Sequence, residues 1–390
     1  MVKIRSYNGQ VDRFGVEDLE RRCEVGPAEN VFLYTDTMGD PICRIRNSPV
    51  YNMLVAELNN EIVGVIQGTI KVVTLHKPPK NAAKVGYMLG LRVSPLHRRK
   101  RIGSKLVRHM EEWFISHQVD YAYMATEKDN EASVKLFVNK FGYVKFRNPT
   151  ILIHPAASNP RSFRSPPGIE IMKLKVEQAE FLYRKVMSSM DFFSHDIDNI
   201  LTNKLSLGTW AAYWRGEPSA GEFGRDGKVP NSWAMMSVWD SGEIFKLRVG
   251  QATLNCFLYA KMSRLMRKGF SCFKAPSMPE FFEPFGLFFI YGIFREGPSS
   301  RKLVRTLCKF VHNLATASKD NYSSSCNKVV VTEIGCCDKL KLDIPHWKLL
   351  SCPEDLWCIK ALNNNEDIEA FLEFTKTPQN RGLFVDPREV

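Results

Sequence analysis

Residues 91–113, LRVSPLHRRKRIGSKLVRHMEEW, pass from an apolar strand pattern through a basic loop into a helix. In that helix Ile102, Leu106, Met110, Trp113 and Phe114 share one face, the periodicity of an amphipathic helix packed on a sheet. A strand that feeds a helix so directly belongs to an α/β unit. It also aims the unpaired N–H groups and the positive dipole end of the helix at whatever lies above its start. Arg98, Arg99, Lys100 and Arg101 crowd that start, and Gly103 lets the backbone approach a ligand without a Cβ in the way. A diphosphate suits the place. The spacings GxxxxGK[ST] and GxGxxG are both absent, which excludes a Walker loop and a dinucleotide fingerprint. On these residues alone, a nuclear import tag and an ordinary solvated helix start stand as alternatives.

The charge pattern agrees with an anionic ligand here. The chain carries a net charge of +12, and no acidic residue lies between Glu61 and Glu111, whereas Lys71, Lys84, Arg92, Lys105 and Arg108 join the basic loop in that interval. Direct nucleic-acid binding is not expected, because the basic middle has neither interleaved aromatics nor a recognition helix. Ten cysteines without a CxxC pair fit neither a zinc site nor a disulfide framework, so they are read as reduced and mostly buried, and no metal is expected. No uninterrupted apolar run reaches the ~18 residues of a membrane span, and the N-terminus lacks the apolar core of a secretory signal.

A length of 390 residues favours two domains. The spacing predicts a helix over 12–24, a hairpin turning at Asn59–Asn60, a strand through 84–93, a helix after Gly103, a strand at 120–126 and a second helix from Asn130 to Gly142. Gly90 inside a strand pattern marks a bulge. The Pro-, Ser- and Arg-rich stretch 154–168 reads as a linker. Boundaries of 1–153, 154–168 and 169–390 follow. Beyond the linker come a helix over 176–190, a helical stretch around 251–268, a strand at 285–294, a helix at 303–315, a strand at 328–334 and a hairpin over 346–362. Strand, Arg- and Gly-containing loop, helix and strand thus occur twice, which suggests a structural duplication, although such units are common in α/β proteins.

Taken together these residues resemble the GNAT superfamily of acetyl-CoA-dependent N-acyltransferases. The pattern [QR]-x-x-G-x-[GA] after L-x-V is matched by Arg98 to Gly103 after Leu91-Arg92-Val93, with Arg101 where the family commonly has Gly. The second pattern, N-x-x-[AS]-x-x-L-[YF] and then G-[FY], is matched by Asn130, Ser133, Leu136, Phe137, Gly142 and Tyr143. Over nearly its whole length the chain is also similar to the plant HOOKLESS-type N-acetyltransferases, through GVEDLERRCEVGP, GDPICRIRNSP, LGLRVSP, DIDNILTNKLSLGTW, FEPFGLFF and FVDPRE. The resemblance implies an α/β fold of the α+β kind with a mixed sheet, a GNAT domain followed by a long C-terminal region, and acetyl-CoA as cosubstrate. Because that region has REGPSS where the first domain has RRKRIG, and Pro298 removes one N–H donor, it reads as a degenerate GNAT-like domain without a working coenzyme site. The resemblance further implies a protein substrate or regulatory protein partner, a nuclear setting with the cytoplasm as a second location, and a role in plant growth.

Carried over by residue, Leu91, Arg92 and Val93 would lie along the acyl and pantetheine arm, and Arg98, Arg99, Lys100, Arg101, Ile102, Gly103 and Ser104 would cradle the pyrophosphate. Asn130 and Phe137 would complete the coenzyme wall. Phe137 stands where the family often has a proton-donating Tyr, and Ala125 where it often has a carboxylate. Glu127 as a base through water and Tyr87 as a donor are the substitutes the sequence offers. A lysine acceptor would need an acidic groove, for which Glu17, Asp18 and Glu20 are the candidates. The alternative is a non-catalytic scaffold that binds acetyl-CoA or a partner on the same fold.

Overall fold

The β-branched and aromatic residues of 50–93 pair in chain order as β3 (Val50–Leu58), β4 (Glu61–Lys77) and β5 (Lys80–Val93), after β1 (Lys3–Ser6), α1 (Arg13–Arg22) and β2 (Val31–Asp36). Asn59 and Asn60, at φ of 52° and 66°, make the two-residue β3–β4 turn. Helix α2 (Ile102–Ser116) carries the chain from β5 to β6 (Tyr121–Glu127), which runs parallel to β5. A short helix, α3 (Glu131–Val134), continues as a π turn over Lys135–Lys140 and stops at Gly142, where φ is 74°. Then follow β7 (Val144–Arg147) and β8 (Pro149–Pro155).

The second half contains β9 (Ile169–Leu174), α4 (Val176–Met187), α5 (Ile197–Thr202), β10 (Ser206–Trp214), β11 (Trp233–Asp240) and β12 (Lys246–Ala252). It goes on with β13 (Gly286–Glu296), a long helix α6 (Ser300–Ala317), β14 (Lys328–Gly335) and β15 (Asp355–Ala361). This computed structural model describes residues 2–23, 31–77, 80–156, 166–216, 229–252, 283–317, 328–336, 338–348, 350–352, 355–362, 371, 374–376 and 382–390. Most of the expected linker and of the helix expected around 251–268 lie outside the described residues.

Two mixed sheets result, ordered β1-β3-β4-β5-β6-β15-β7 and β8-β14-β13-β11-β10-β9, while β12 pairs with β2. Each contains a parallel pair joined through a helix: β5 and β6 through α2, β13 and β14 through α6. The sheets exchange strands. β8 leaves the first half to pair with β14, and β15 returns from the second half to lie between β6 and β7. The boundaries read from chain order therefore do not divide the sheets, since 153/154 falls inside β8. Nor do the described residues of 346–362 form a hairpin. Among the described residues only β15 forms there, and its register is set by β6 and β7.

The outer face of the first sheet is covered by α2, whose Ile102, Leu106, Met110 and Phe114 are buried, and that of the second by α6, through Leu303, Val304, Leu307 and Val311. The inner faces share one core with α1 and α4, in which Val55, Val65 and Tyr123 meet Trp233, Tyr291 and Val331 within a single apolar cluster. The turn 386–389 is sunk into this seam. Lys71 bonds Asp386 at 3.1 Å and Glu389 at 2.6 Å, Tyr123 donates to Glu389, and Arg388 reaches both Asp386 and Asp196, at 2.7 and 2.6 Å. Burial pushes the Asp386 carboxyl up, but the charges of Arg388 and Lys71 outweigh it and hold the group well below the usual carboxylate range.

Candidate active site

The parallel pairing of β5 with β6 runs from Val85–Tyr121 to Met88–Met124 and then stops. It stops because β5 bulges. Arg92 sits opposite Val65 and Leu89 opposite Gln67, so Gly90 and Leu91 together face Ile66, with Gly90 at a φ of 59° that a side chain would strain. Beyond Met124, β6 is paired with β15 on its other side only, through Trp357–Ala125, Leu356–Thr126 and Asp355–Glu127. The two strands splay, and a cavity of about 940 Å³ opens between them. Unpaired strand edges facing such a space are what an extended amide-bearing arm pairs with.

At one end of the cavity lies the start of α2. Arg101 precedes the helix at φ 61°, ψ 14° without a side-chain cap, so the first-turn N–H groups of Ile102, Gly103 and Ser104 have no intrahelical acceptor. Arg99 is also left-handed, at φ 62°. Such turns aim successive N–H groups into one concavity, where the dipole of a fifteen-residue helix adds its positive end. Arg98, Arg99 and Arg101 are exposed at the mouth, and Lys140, from the π turn, donates to Ser104 Oγ at 2.7 Å. These groups fit a pyrophosphate.

Of the residues expected to bind the coenzyme, Leu91, Arg92, Val93, Arg98, Arg99, Arg101, Ile102, Gly103, Ser104, Asn130 and Phe137 line this cavity. Lys100 is not in its wall; its ammonium lies 3.2 Å from His97 Nδ1. The Arg92 guanidinium bonds Glu20 at 3.1 Å, and the Asn130 side-chain oxygen accepts the Ser133 N–H as the cap of α3. Cys23 reaches the wall too, its thiol 3.7 Å from the Val93 carbonyl and its ionisation pushed up by burial, so it is a neutral wall group and no nucleophile.

The other end is acidic, and it is built by both halves of the chain. Glu127 lines the cavity at the tip of β6, and burial, with Asp355 and Asp129 adding like charge, pushes its carboxyl up to about 7. Asp355, its cross-strand neighbour on β15, is buried and pushed up to about 6. Behind them Glu333 of β14 is pushed up to about 8 by burial and by Asp355, while accepting a bond from Trp357 Nε1 at 3.0 Å. Arg44 also reaches the wall, its buried Nε without a hydrogen-bond partner among the described residues. Arg44, Lys140, Asp355 and Glu333 carry no motif and escape a sequence reading; only strand register and loop packing bring them here.

Tyr87 is absent from the described wall. It stacks on Tyr123 at 4.8 Å in the shared core, and burial pushes its hydroxyl well above the ordinary range, which makes it a poor proton donor. Phe137 is in the wall, edge-on to Tyr143. Glu17, Asp18 and Glu20 do not form a groove at the acidic end: Glu17 pairs with Arg13, Asp18 with Arg22 and Glu20 with Arg92. An i,i+4 partner lies within reach on the same helix for the first two, which is why the local acid content misleads.

The corresponding place in the second sheet is filled. Gly292 of β13, at φ 58°, is covered by Tyr183 from α4, and Leu383, Phe384 and Val385 line what remains, about 30 Å³. The loop before α6 is tied down as well, with Ser232 Oγ donating to the Pro298 carbonyl at 2.5 Å and Arg295 and Arg301 both on Asp343.

A bulged strand splayed from its parallel neighbour, beside an uncapped helix start, defines the fold class of acyl-CoA N-acyltransferases. The acetyltransferase (GNAT) family model matches residues 16–143. Among solved structures, the Saccharomyces cerevisiae N-myristoyltransferase with bound myristoyl-CoA shares the fold with a TM-score of 0.54 at 11% identity, over 92% of this chain and 79% of that one. Among curated proteins, the chain is 46% identical over 411 residues to "Probable N-acetyltransferase HLS1" of Arabidopsis thaliana, covering all of both. It is 34% identical over 429 residues to "Acetyl transferase GW6a" of Oryza sativa subsp. japonica, covering all of this chain and 97% of the other. The chain belongs to the HLS1 family of probable N-acetyltransferases, within the GNAT acyltransferases.

Proposed function

We propose that the protein transfers an acetyl group from acetyl-CoA to an amine, a protein lysine side chain, by direct attack in a ternary complex. One observation carries this reading: a single cavity runs from the free N–H groups of α2 to Glu127, a carboxylate whose ionisation lies near neutrality. The helix start and the arginines at the mouth hold the pyrophosphate, and the edge of β5 from Leu91 to Val93 pairs with the pantetheine arm, which places the thioester at the acidic end. A backbone N–H near Leu91 bonds the thioester oxygen as charge develops on it.

Lysine arrives as an ammonium. Glu127, directly or through one water, takes one proton and frees the lone pair. The nitrogen–carbon bond then forms as the carbon–sulfur bond breaks, the second nitrogen proton reaches the departing sulfur, and Glu127 returns its proton to solvent. Among the described residues no tyrosine lines the cavity to protonate the sulfur. A thiol ionises near pH ~8.5, so the thiolate leaves without one at a slower rate. Alignment of the reactants supplies the larger share, up to roughly 7–11 kcal/mol.

Calorimetry with acetyl-CoA, followed by thiol release on adding lysine-rich peptides, tests this reading. Saturable binding with turnover that falls about 10²–10⁴-fold in Glu127→Gln supports it. Binding without turnover on any amine would favour the scaffold alternative. The nuclear setting and the part in plant growth belong to the same proposal, and imaging a fluorescent fusion in plant cells tests the first.

A further inference from the structure

We propose that Asp355, carried into the first sheet by the exchanged strand β15, is a positioning residue for proton transfer at Glu127, so that neither half of the chain holds a complete acceptor end. The inference rests on the acetyltransferase reading and extends it to a residue far outside the GNAT motifs. Its basis is register. β15 pairs with the edge of β6 that faces away from β5, and the antiparallel ladder sets Asp355 directly opposite Glu127, with both residues in the cavity wall. Residues directly opposite on one ladder lie within about 4.5–5.5 Å at Cβ, close enough for two carboxylates to compete for one proton.

The surroundings keep the pair from simple solvation. Asp355 is buried, its backbone neighbour Leu356 donates to it, and Glu333 of β14 stands behind it, held by the indole N–H of Trp357 on β15. Asp129 in the loop after β6 adds a further negative charge, and Arg44 and Arg92 are the cations of the nearby wall. Two acids in one partly dry space titrate as a pair, holding a shared proton around neutrality. Asp355 thereby keeps Glu127 basic enough to take a proton from an ammonium and acidic enough to release it afterwards. The cluster's negative charge also favours an acceptor that enters as a cation.

The pH profile of kcat/KM distinguishes this from a packing role. In the wild type the acid limb reports ionisation of the pair. Asp355→Asn keeps the acceptor for Leu356 but removes the like charge, so the Glu127 proton is lost at lower pH. The acid limb should move down by about one pH unit, with a several-fold loss of kcat on the plateau as the base weakens, while the affinity for acetyl-CoA stays the same. Asp355→Glu should restore the limb. An Asp355→Asn enzyme whose limb does not move overturns this inference alone, whereas absence of transfer by the wild type overturns the acetyltransferase reading and this inference with it. Should Asp355→Asn not fold, ¹³C carboxyl NMR of the wild type decides, with Glu127 identified by its loss in Glu127→Gln. A two-step titration near neutrality supports the pairing, and a single step in the ordinary carboxylate range overturns it.

Discussion

Arg101 is the residue at which local strain and the proposed pyrophosphate contact meet. A non-glycine side chain at φ 61° costs about 1 kcal/mol, and the same conformation turns the N–H groups of the loop toward the cavity. Arg101→Gly should therefore raise the unfolding free energy by about 1 kcal/mol, read as a higher melting temperature, while lowering the salt dependence of acetyl-CoA affinity because one mouth charge is lost. Gly103 tests the backbone contribution directly. Gly103→Pro removes one first-turn N–H from a helix start that tolerates proline. Loss of a hydrogen bond to a charged group, about 1.5–3 kcal/mol, predicts affinity weaker by about 10–100-fold in calorimetry with little change in circular dichroism. Both arguments concern main-chain geometry, which is why Arg can stand where the family commonly has Gly.

At the scale of elements, the decisive feature is the reciprocal exchange of β8 and β15. A chain ending at 155 lacks β15, so β6 and β7 lose their common neighbour. It should give no cooperative unfolding transition, and co-expression with 166–390 should recover one. The turn 386–389 is a second tie across the seam. Arg388→Ala would leave Asp386 and Asp196 without their shared cation, at a cost of about 3–5 kcal/mol in denaturant unfolding. Because the Asp386 value is depressed in the folded chain, the stability it contributes is present above the unfolded value near pH ~4 and is lost as pH falls further.

For the whole molecule, the contrast between about 940 Å³ at the first splay and about 30 Å³ at the second predicts one acetyl-CoA per chain. A stoichiometry near two in calorimetry would contradict it. The acidic end makes a further prediction of opposite sign to Asp386. Folded values of about 6 for Asp355, about 7 for Glu127 and about 8 for Glu333 lie above the unfolded ones, so their contribution is full below pH ~4 and is lost as pH rises through that range. Glu333→Gln, which keeps an acceptor for Trp357, should raise the melting temperature at pH 8 and change it little at pH 5. The sequence by itself determined what depends on neighbours along the chain: the elements from 50 to 147, the Gly90 bulge, the α2 start and the motif residues that line the cavity, with Glu127 at the tip of β6. It misled at Glu17 and Asp18, whose partners lie on the same helix, and at Tyr87, which stacks on Tyr123 of the neighbouring strand inside the core. Only the tertiary structure decided the strand exchange, the plugging of the second splay by Tyr183, Leu383 and Phe384, and the arrival of Asp355 beside Glu127. Those outcomes follow from strand register and burial between segments more than two hundred residues apart for β6 and β15, and no local periodicity records which distant edge a strand will join.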